Sequence, residues 1–203
     1  MSGKGIAAIT GGIFMAACMA QPADTQKVDE ALGRTADSSE VQPLVGLPFV
    51  VNTLSGKCMD VAGAPGTDNG ASLQLFSCEL NGLNADNGSP TDQQWIAIDG
   101  GFIRNTLSGR CIDVAGAPGT DNGARLQLFD CELSGFNTNG TSTDQRWVVR
   151  ADGFIQNLLS GRCIDVAGAP GTGNGAPLQL VDCELSGFNG NGSLTDQRWV
   201  LVQ

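Results

Sequence analysis

Apolar residues come in short bursts along the second half of this chain, never in long runs. In the segment from residue 102 to 149, Phe102-Ile103-Arg104-Asn105 is half apolar and reads as a strand. Leu107-Ser108-Gly109-Arg110 turns, and Cys111-Ile112-Asp113-Val114 alternates Ile112 and Val114 against Cys111 and Asp113, as a half-buried strand does. Ala117 to Gly123 is a loop, Leu126-Gln127-Leu128-Phe129 a third strand, Glu132 to Asp144 a second long loop, and Gln145 to Val149 a fourth strand. Asn-Gly and Asp-Gly steps punctuate these runs, among them Asn69-Gly70, Asn81-Gly82, Asp99-Gly100, Asn122-Gly123 and Asp152-Gly153, and they mark turns. The pattern predicts an all-β body.

The same pattern is written three times. Cys58-Met59-Asp60-Val61-Ala62-Gly63-Ala64-Pro65-Gly66 returns as Cys111 to Gly119 and as Cys163 to Gly171, and each copy ends in Gln-x-Trp, at Gln93, Gln145 and Gln197. The tryptophans Trp95, Trp147 and Trp199 are 52 residues apart. A fixed period near 50 makes each copy one unit that cannot bury its apolar face alone. Four strands in each of three copies make twelve. Strands this short are stable only together, and closure of the set removes exposed edges. Closure requires Phe49-Val50-Val51 to pair with Trp199 to Val202. The three tryptophans are expected in the core. Leu75 and Leu128 are expected on the inward side of their strands, which leaves Phe76 and Phe129 on the other.

Six of the seven cysteines fall in the repeats as Cys58/Cys78, Cys111/Cys131 and Cys163/Cys183, each pair separated by 20 residues. One pair per copy at constant spacing implies one disulfide per repeat and an oxidising compartment, with buried free thiols as the alternative. A metal site is disfavoured, because no His and no Cys-x-x-Cys accompanies them.

The front of the chain differs in kind. Residues 1–17 read as a signal peptide: Lys4, then an apolar stretch too short to span a bilayer comfortably. Met15-Ala16-Ala17 precedes the lone Cys18, which resembles a bacterial lipoprotein signal with Cys18 as the lipidated residue; ordinary cleavage after Ala20 is the alternative. The expected location is therefore the bacterial cell envelope, at the outer membrane or cell surface, or otherwise outside the cell. Residues 18–45 are polar and poor in aromatics and read as a flexible tether, which leaves 46–203 for the repeats.

Net charge is −10, with no histidine and no tyrosine. The charge argues against nucleic acid or an anionic membrane surface as partner, and leaves the membrane only through an anchor at Cys18. The missing histidine removes the commonest general base. No carboxylate pair or nucleophile motif is recognisable, so no enzyme activity and no cofactor is expected.

Cys-x-Asp, Gln-Leu-Phe with a cysteine two residues on, and Gln-x-Trp, together in triplicate, resemble the ricin B-type lectins. The resemblance covers about three quarters of the chain. It implies a β-trefoil of three ~52-residue repeats, a monomer, and a glycan or polysaccharide ligand of galactose-type hexoses. It casts Asp60, Asp113 and Asp165 as acceptors for adjacent sugar hydroxyls, with turn capping as the alternative role. It casts Phe76 and Phe129 as stacking platforms. The residue before the Gln, often Asn in that family, is Asp92, Asp144 and Asp196 here, and Asp accepts but does not donate. Gln93, Gln145 and Gln197 are placed at the site with a structural role in view. The third copy carries Val181 at the platform position, so its site is expected to be weak. Alternating Asx residues in the long loops hint at calcium, but their carboxylates are too few in copies two and three, and no metal is expected. Asn87, Asn139 and Asn191 stand in Asn-Gly-Ser/Thr triplets, glycosylation acceptors only in a host with that machinery. A protein-binding trefoil such as a protease inhibitor, or a structural surface protein, is the alternative. An inhibitor would not need an acidic residue and a platform aromatic at equivalent places in two copies, whereas a structural protein could keep them as relics.

Overall fold

The computed structural model describes residues 49–202; the signal, tether and Cys18 expectations fall outside the described residues. Twelve strands follow one another: β1 (Phe49–Asn52), β2 (Cys58–Val61), β3 (Leu73–Phe76), β4 (Trp95–Ile98), β5 (Phe102–Asn105), β6 (Cys111–Val114), β7 (Leu126–Phe129), β8 (Trp147–Val149), β9 (Ile155–Asn157), β10 (Cys163–Val166), β11 (Leu178–Val181) and β12 (Trp199–Val202). They form three four-stranded antiparallel sheets, in the orders β12-β1-β2-β3, β4-β5-β6-β7 and β8-β9-β10-β11. Each sheet takes its first strand from the preceding repeat, so no repeat completes a sheet alone. The ring closes where Phe49 pairs with Val202 and Asn52 with Trp199. Among the described residues there is no helix.

The fourth strand of each repeat starts later than its apolar pattern implies. Ladder pairing begins at Trp147, not Gln145. The Gln145 amide N–H instead donates to the Thr143 hydroxyl at 3.1 Å, and its side chain turns inward.

The third strand of each repeat meets its two counterparts at the centre. Leu75 accepts from Gly175 and donates to Ala176; Leu128 does the same with Gly70 and Ala71, and Leu180 with Gly123 and Ala124. These six bonds satisfy, across repeats, the backbone groups that short strands leave unpaired. Around them Leu73, Leu75, Leu126, Leu128, Leu178 and Leu180 form the core with Met59, Ile112 and Ile164. The three tryptophans are buried there, and each indole N–H donates to a backbone carbonyl on the second strand of its repeat: Met59, Ile112 or Ile164, at 3.1–3.2 Å. Disulfides join Cys58 to Cys78, Cys111 to Cys131 and Cys163 to Cys183, with Cα atoms 5.0–5.1 Å apart. Each one ties the second strand to the loop after the third.

Candidate carbohydrate site

Antiparallel register places Asp60 on β2 directly opposite Gln74 on β3, and Cys58 opposite Phe76. Side chains two residues apart on a strand share a face, so Gln74 and Phe76 stand together above the Asp60 carboxyl. The same pairs are Asp113 with Gln127 on β6 and β7, and Asp165 with Gln179 on β10 and β11. Leu75 and Leu128 take the opposite face and are fully buried, whereas Phe76 and Phe129 are half-buried beside the disulfide. A cavity of about 370 Å³ opens next to Phe76, lined also by Glu79, Leu80, Asn81 and Leu83.

Two amides hold each of these carboxyl groups. Gln74 Nε2 donates to Asp60 Oδ2 at 2.7 Å, and Gln93 Nε2 to Asp60 Oδ1 at 3.0 Å. Repeat two has Gln127 and Gln145 on Asp113 at 2.7 and 3.0 Å, and repeat three Gln179 and Gln197 on Asp165 at 2.8 and 3.2 Å. Gln93 is fully buried and its amide is used up: Nε2 also donates to the Ser77 carbonyl, and Oε1 accepts from the Glu79 N–H at 2.9 Å. Gln145 and Gln197 repeat that arrangement. None of the three has a donor left for a ligand.

Asp92, Asp144 and Asp196 are buried as well. Asp92 Oδ2 accepts from the Gly66 N–H at 2.6 Å, as Asp144 does from Gly119 and Asp196 from Gly171. Glycine is required there, because a Cβ on Gly66 would lie 2.6 Å from both Val61 Cγ1 and the Ala62 carbonyl oxygen. The same clash at Gly119 and Gly171 accounts for a glycine at this place in all three copies.

The two aspartates of each repeat form a coupled pair. Burial above all, with the neighbouring Asp92 charge adding to it, pushes Asp60 up to about 7 against the donated bonds of Gln74 and Gln93. Burial raises Asp92 as well. In repeat two the value of about 7 falls on Asp144, and in repeat three on Asp165, again chiefly through burial and the charge of its partner. Asp113 and Asp196 are raised for the same leading reason. The proton belongs to each pair as a unit. A third carboxyl lies close by: Glu79, Glu132 and Glu184 each bury an Oε2 that has no hydrogen-bond partner. In repeat three, carboxylate oxygens of Asp165, Glu184 and Asp196 lie within 4.8 Å of one another, a grouping that could share protons or receive a cation.

Sequence reasoning missed Gln74, Gln127 and Gln179, and likewise the three glutamates. The signal was present: a polar Gln between two core leucines in every copy, and Cys-Glu-Leu after every third strand. Asn87, Asn139 and Asn191 act as loop pins, donating to the carbonyls of Ala64, Ala117 and Ala169 at 2.6–2.8 Å. The alternating Asx residues around them form local turns, with Asn84 Oδ1 accepting from the Asp86 N–H and Asn137 Oδ1 from the Asn139 N–H.

Threefold closure, a disulfide in each repeat and an acidic residue beside a half-buried aromatic define a trefoil of the lectin class. The ricin-type β-trefoil lectin domain profile matches residues 49–199, and the chain belongs to that family. It is 33% identical over 139 residues to the ribosome-inactivating protein PMRIPm of Polygonatum multiflorum, a match that covers 67% of this chain and 20% of that protein. It is 30% identical over 142 residues to the galactose/N-acetylgalactosamine-binding lectin CEL-III of Pseudocnus echinatus, covering 66% of this chain and 28% of that one. The chain thus spans less than a third of these relatives. Among solved structures it is similar to the designed threefold-symmetric protein ThreeFoil, with a TM-score of 0.56 and 26% identity over 78% of this chain and 99% of that one.

Proposed function

We propose that this chain is a non-catalytic lectin that takes galactose-type hexoses at two sites, one in repeat one and one in repeat two. The observation that carries this reading is a carboxyl group held by two glutamine amides on the same sheet face as a half-buried phenylalanine, twice over. A pyranose presents C–H groups on one face and hydroxyls at its rim. Phe76 or Phe129 offers a surface to the first, and the edge of Asp60 or Asp113 accepts from the second, a charge-assisted bond when the group is ionised. Gln74, Gln93 and their counterparts are positioning residues, and Asp92 and Asp144 set the charge state of the acceptor. CEL-III is named for galactose and N-acetylgalactosamine binding, which supports this sugar class. Single-site affinity is expected near millimolar, about 4 kcal/mol, with avidity gained only on a repeated ligand.

Three disulfides support function in an oxidising compartment, and with it the export reading. Titration calorimetry against methyl galactoside, with glucose and mannose as controls, tests the sugar reading. A stoichiometry near two supports it, and absence of heat with every hexose overturns it.

A further inference from the structure

A second set of clefts lies at the boundaries between repeats. Where the long loop of repeat two meets the β9–β10 hairpin, Phe136, Ser142, Thr143, Arg146, Leu158 and Leu159 line a cavity of about 320 Å³. Where the long loop of repeat three meets the β1–β2 hairpin, Phe188, Leu194, Thr195, Arg198, Thr53 and Leu54 line one of about 380 Å³. Both volumes lie at the lower end of small-molecule sites. The hairpins are held in place from below: Leu158 N–H donates to the Arg146 carbonyl at 2.8 Å and Thr53 N–H to the Arg198 carbonyl at 2.9 Å.

The chemistry of the two clefts is alike and is at odds with the rest of the molecule. Phe136 and Phe188 are 57% and 53% exposed, unusual for phenylalanine. The only charged lining residue in each cleft is an arginine, in a chain of net charge −10. Arg146 lies over the Phe102 ring at 5.6 Å and Arg198 over Phe154 at 5.3 Å. Every other arginine that joins an ion pair here does so with a named aspartate, Arg110 with Asp130, Arg150 with Asp152 and Arg162 with Asp182. Among the described residues, Arg146 and Arg198 form none, and the Nε of each is buried without a partner. A guanidinium without an ion-pair partner is shaped for a carboxylate. Repeat one has lost the set: Gln94 stands in place of the arginine and Leu83 in place of the phenylalanine.

We propose that these two clefts bind an acidic sugar unit, a hexuronate within a polysaccharide, with its carboxylate on Arg146 or Arg198 and its C–H face on Phe136 or Phe188. The exposed hydroxyls of Ser142 in one cleft and Thr53 in the other face its remaining hydroxyls. The choice of a saccharide rests on the lectin reading; the demand for an anion with an apolar face does not. The clefts are separate from the Asp60 and Asp113 sites, so one chain would hold neutral and acidic sugars of one polymer at once. The overall negative charge weakens long-range attraction to such a polymer, and the short range of the guanidinium contact suits screening at physiological salt.

The decisive experiment is titration calorimetry of the full chain with trigalacturonate, and with the neutral galactose trimer beside it. Trigalacturonate is expected to bind with a stoichiometry of two, and to keep binding after Phe76→Ala with Phe129→Ala. Arg146→Gln with Arg198→Gln, the residue repeat one already carries, should weaken it tenfold or more while methyl galactoside binding holds. Phe136→Leu with Phe188→Leu, at more than half-exposed positions, gives a second handle that spares the fold and should weaken it at least threefold. Unchanged trigalacturonate affinity in both variants, no binding to wild type, or Arg-dependent binding of an acidic Asp-Phe peptide in its place overturns the proposal. Loss of methyl galactoside binding alone sinks the lectin sites and leaves these clefts standing.

Discussion

Repeats two and three carry the same polar cradle and different platforms. Asp113 accepts from Gln127 and Gln145, and Asp165 accepts from Gln179 and Gln197, with lengths that agree within 0.2 Å. Gly119 and Gly171 bond their aspartates at the same 2.6 Å. Yet Phe129 ends β7 where Val181 ends β11. The cradle persists where the platform is lost because it also satisfies buried donors in the fold, while the platform side chain is only half-buried. Polar geometry shared by every copy therefore reports the scaffold first, and the platform reports the ligand.

The largest effect to separate scaffold from ligand binding comes from the cradle. Asp60→Ala with Asp113→Ala is expected to reduce methyl galactoside affinity at least 100-fold. It also strands the amides of Gln74, Gln93, Gln127 and Gln145, at about 1–3 kcal/mol per repeat, so the melting temperature falls as well. Asp165→Ala should lower the melting temperature by a similar amount per site and leave galactoside binding where it was. Equal binding losses from Asp165→Ala would remove the distinction between the copies.

The platform gives the next effect, in both directions. Phe129→Val makes copy two into copy three and should drop the calorimetric stoichiometry from two to one with little change in melting temperature. Val181→Phe makes copy three into copy two and should raise it towards three. A stoichiometry that ignores both changes would show that the aromatic is not what equips a site.

Much of this was legible in the chain. The 52-residue period located every repeat, and alternation in Leu-Gln-Leu-Phe placed the leucines inward. The pairing of Phe49 with Val202 followed from closure. The depth of Asp92 and the depletion of Gln93 did not follow, because a residue type states which bonds it can make and not which neighbours arrive first. A strand glutamine between leucines reads as solvent-facing polar alternation, and only register puts Gln74 across from Asp60. The Arg146 and Arg198 clefts join segments of two repeats, which a period read within one repeat does not bring together.

A smaller effect lies in the pH dependence that the cradles share. Asp60, Asp144 and Asp165 stand at about 7 in the folded chain against 3.8 for a free carboxyl, through burial first. A raised folded value means that the native state binds a proton more tightly than the unfolded chain. That contribution is whole below pH 4 and is lost as pH rises towards 7. The melting temperature should therefore fall from pH 4.5 to 8, with burial of the three pairs as the leading cause. Galactoside affinity should move the other way, rising a few-fold as the acceptor ionises. Asp92→Asn, Asp144→Asn and Asp196→Asn together should flatten the melting curve across that window, and a melting temperature that climbs from pH 4.5 to 8 in the parent chain would contradict the paired-carboxyl account.

The smallest effect concerns the junctions between repeats, which are also unequal. At the first, Arg110 Nε meets Asp130 at 3.2 Å and Asn69 at 2.7 Å, and Asn69 donates to Asp130 at 2.9 Å. At the second, Arg162 Nε meets Asp182 at 3.0 Å and Asn122 at 2.8 Å. At the closing junction the aspartate position is Ser77, which exchanges bonds of 3.2–3.3 Å with Asn174, and the arginine position is Lys57. Lysine offers a point charge where arginine offers a planar fork, so the third latch lacks both the carboxylate and the donor geometry. Lys57→Arg with Ser77→Asp should complete it. The latching aspartates are 72% exposed in their side chains, so the gain is held to about 0.3–1 kcal/mol, a rise of roughly 1–4 °C in melting temperature. Because the closing strands β1 and β12 meet at that junction, the gain should appear as slower unfolding at low salt and shrink in 1 M salt. A double variant no more stable than either single one would mean that the two side chains do not meet, and that the closing junction is built differently from the other two.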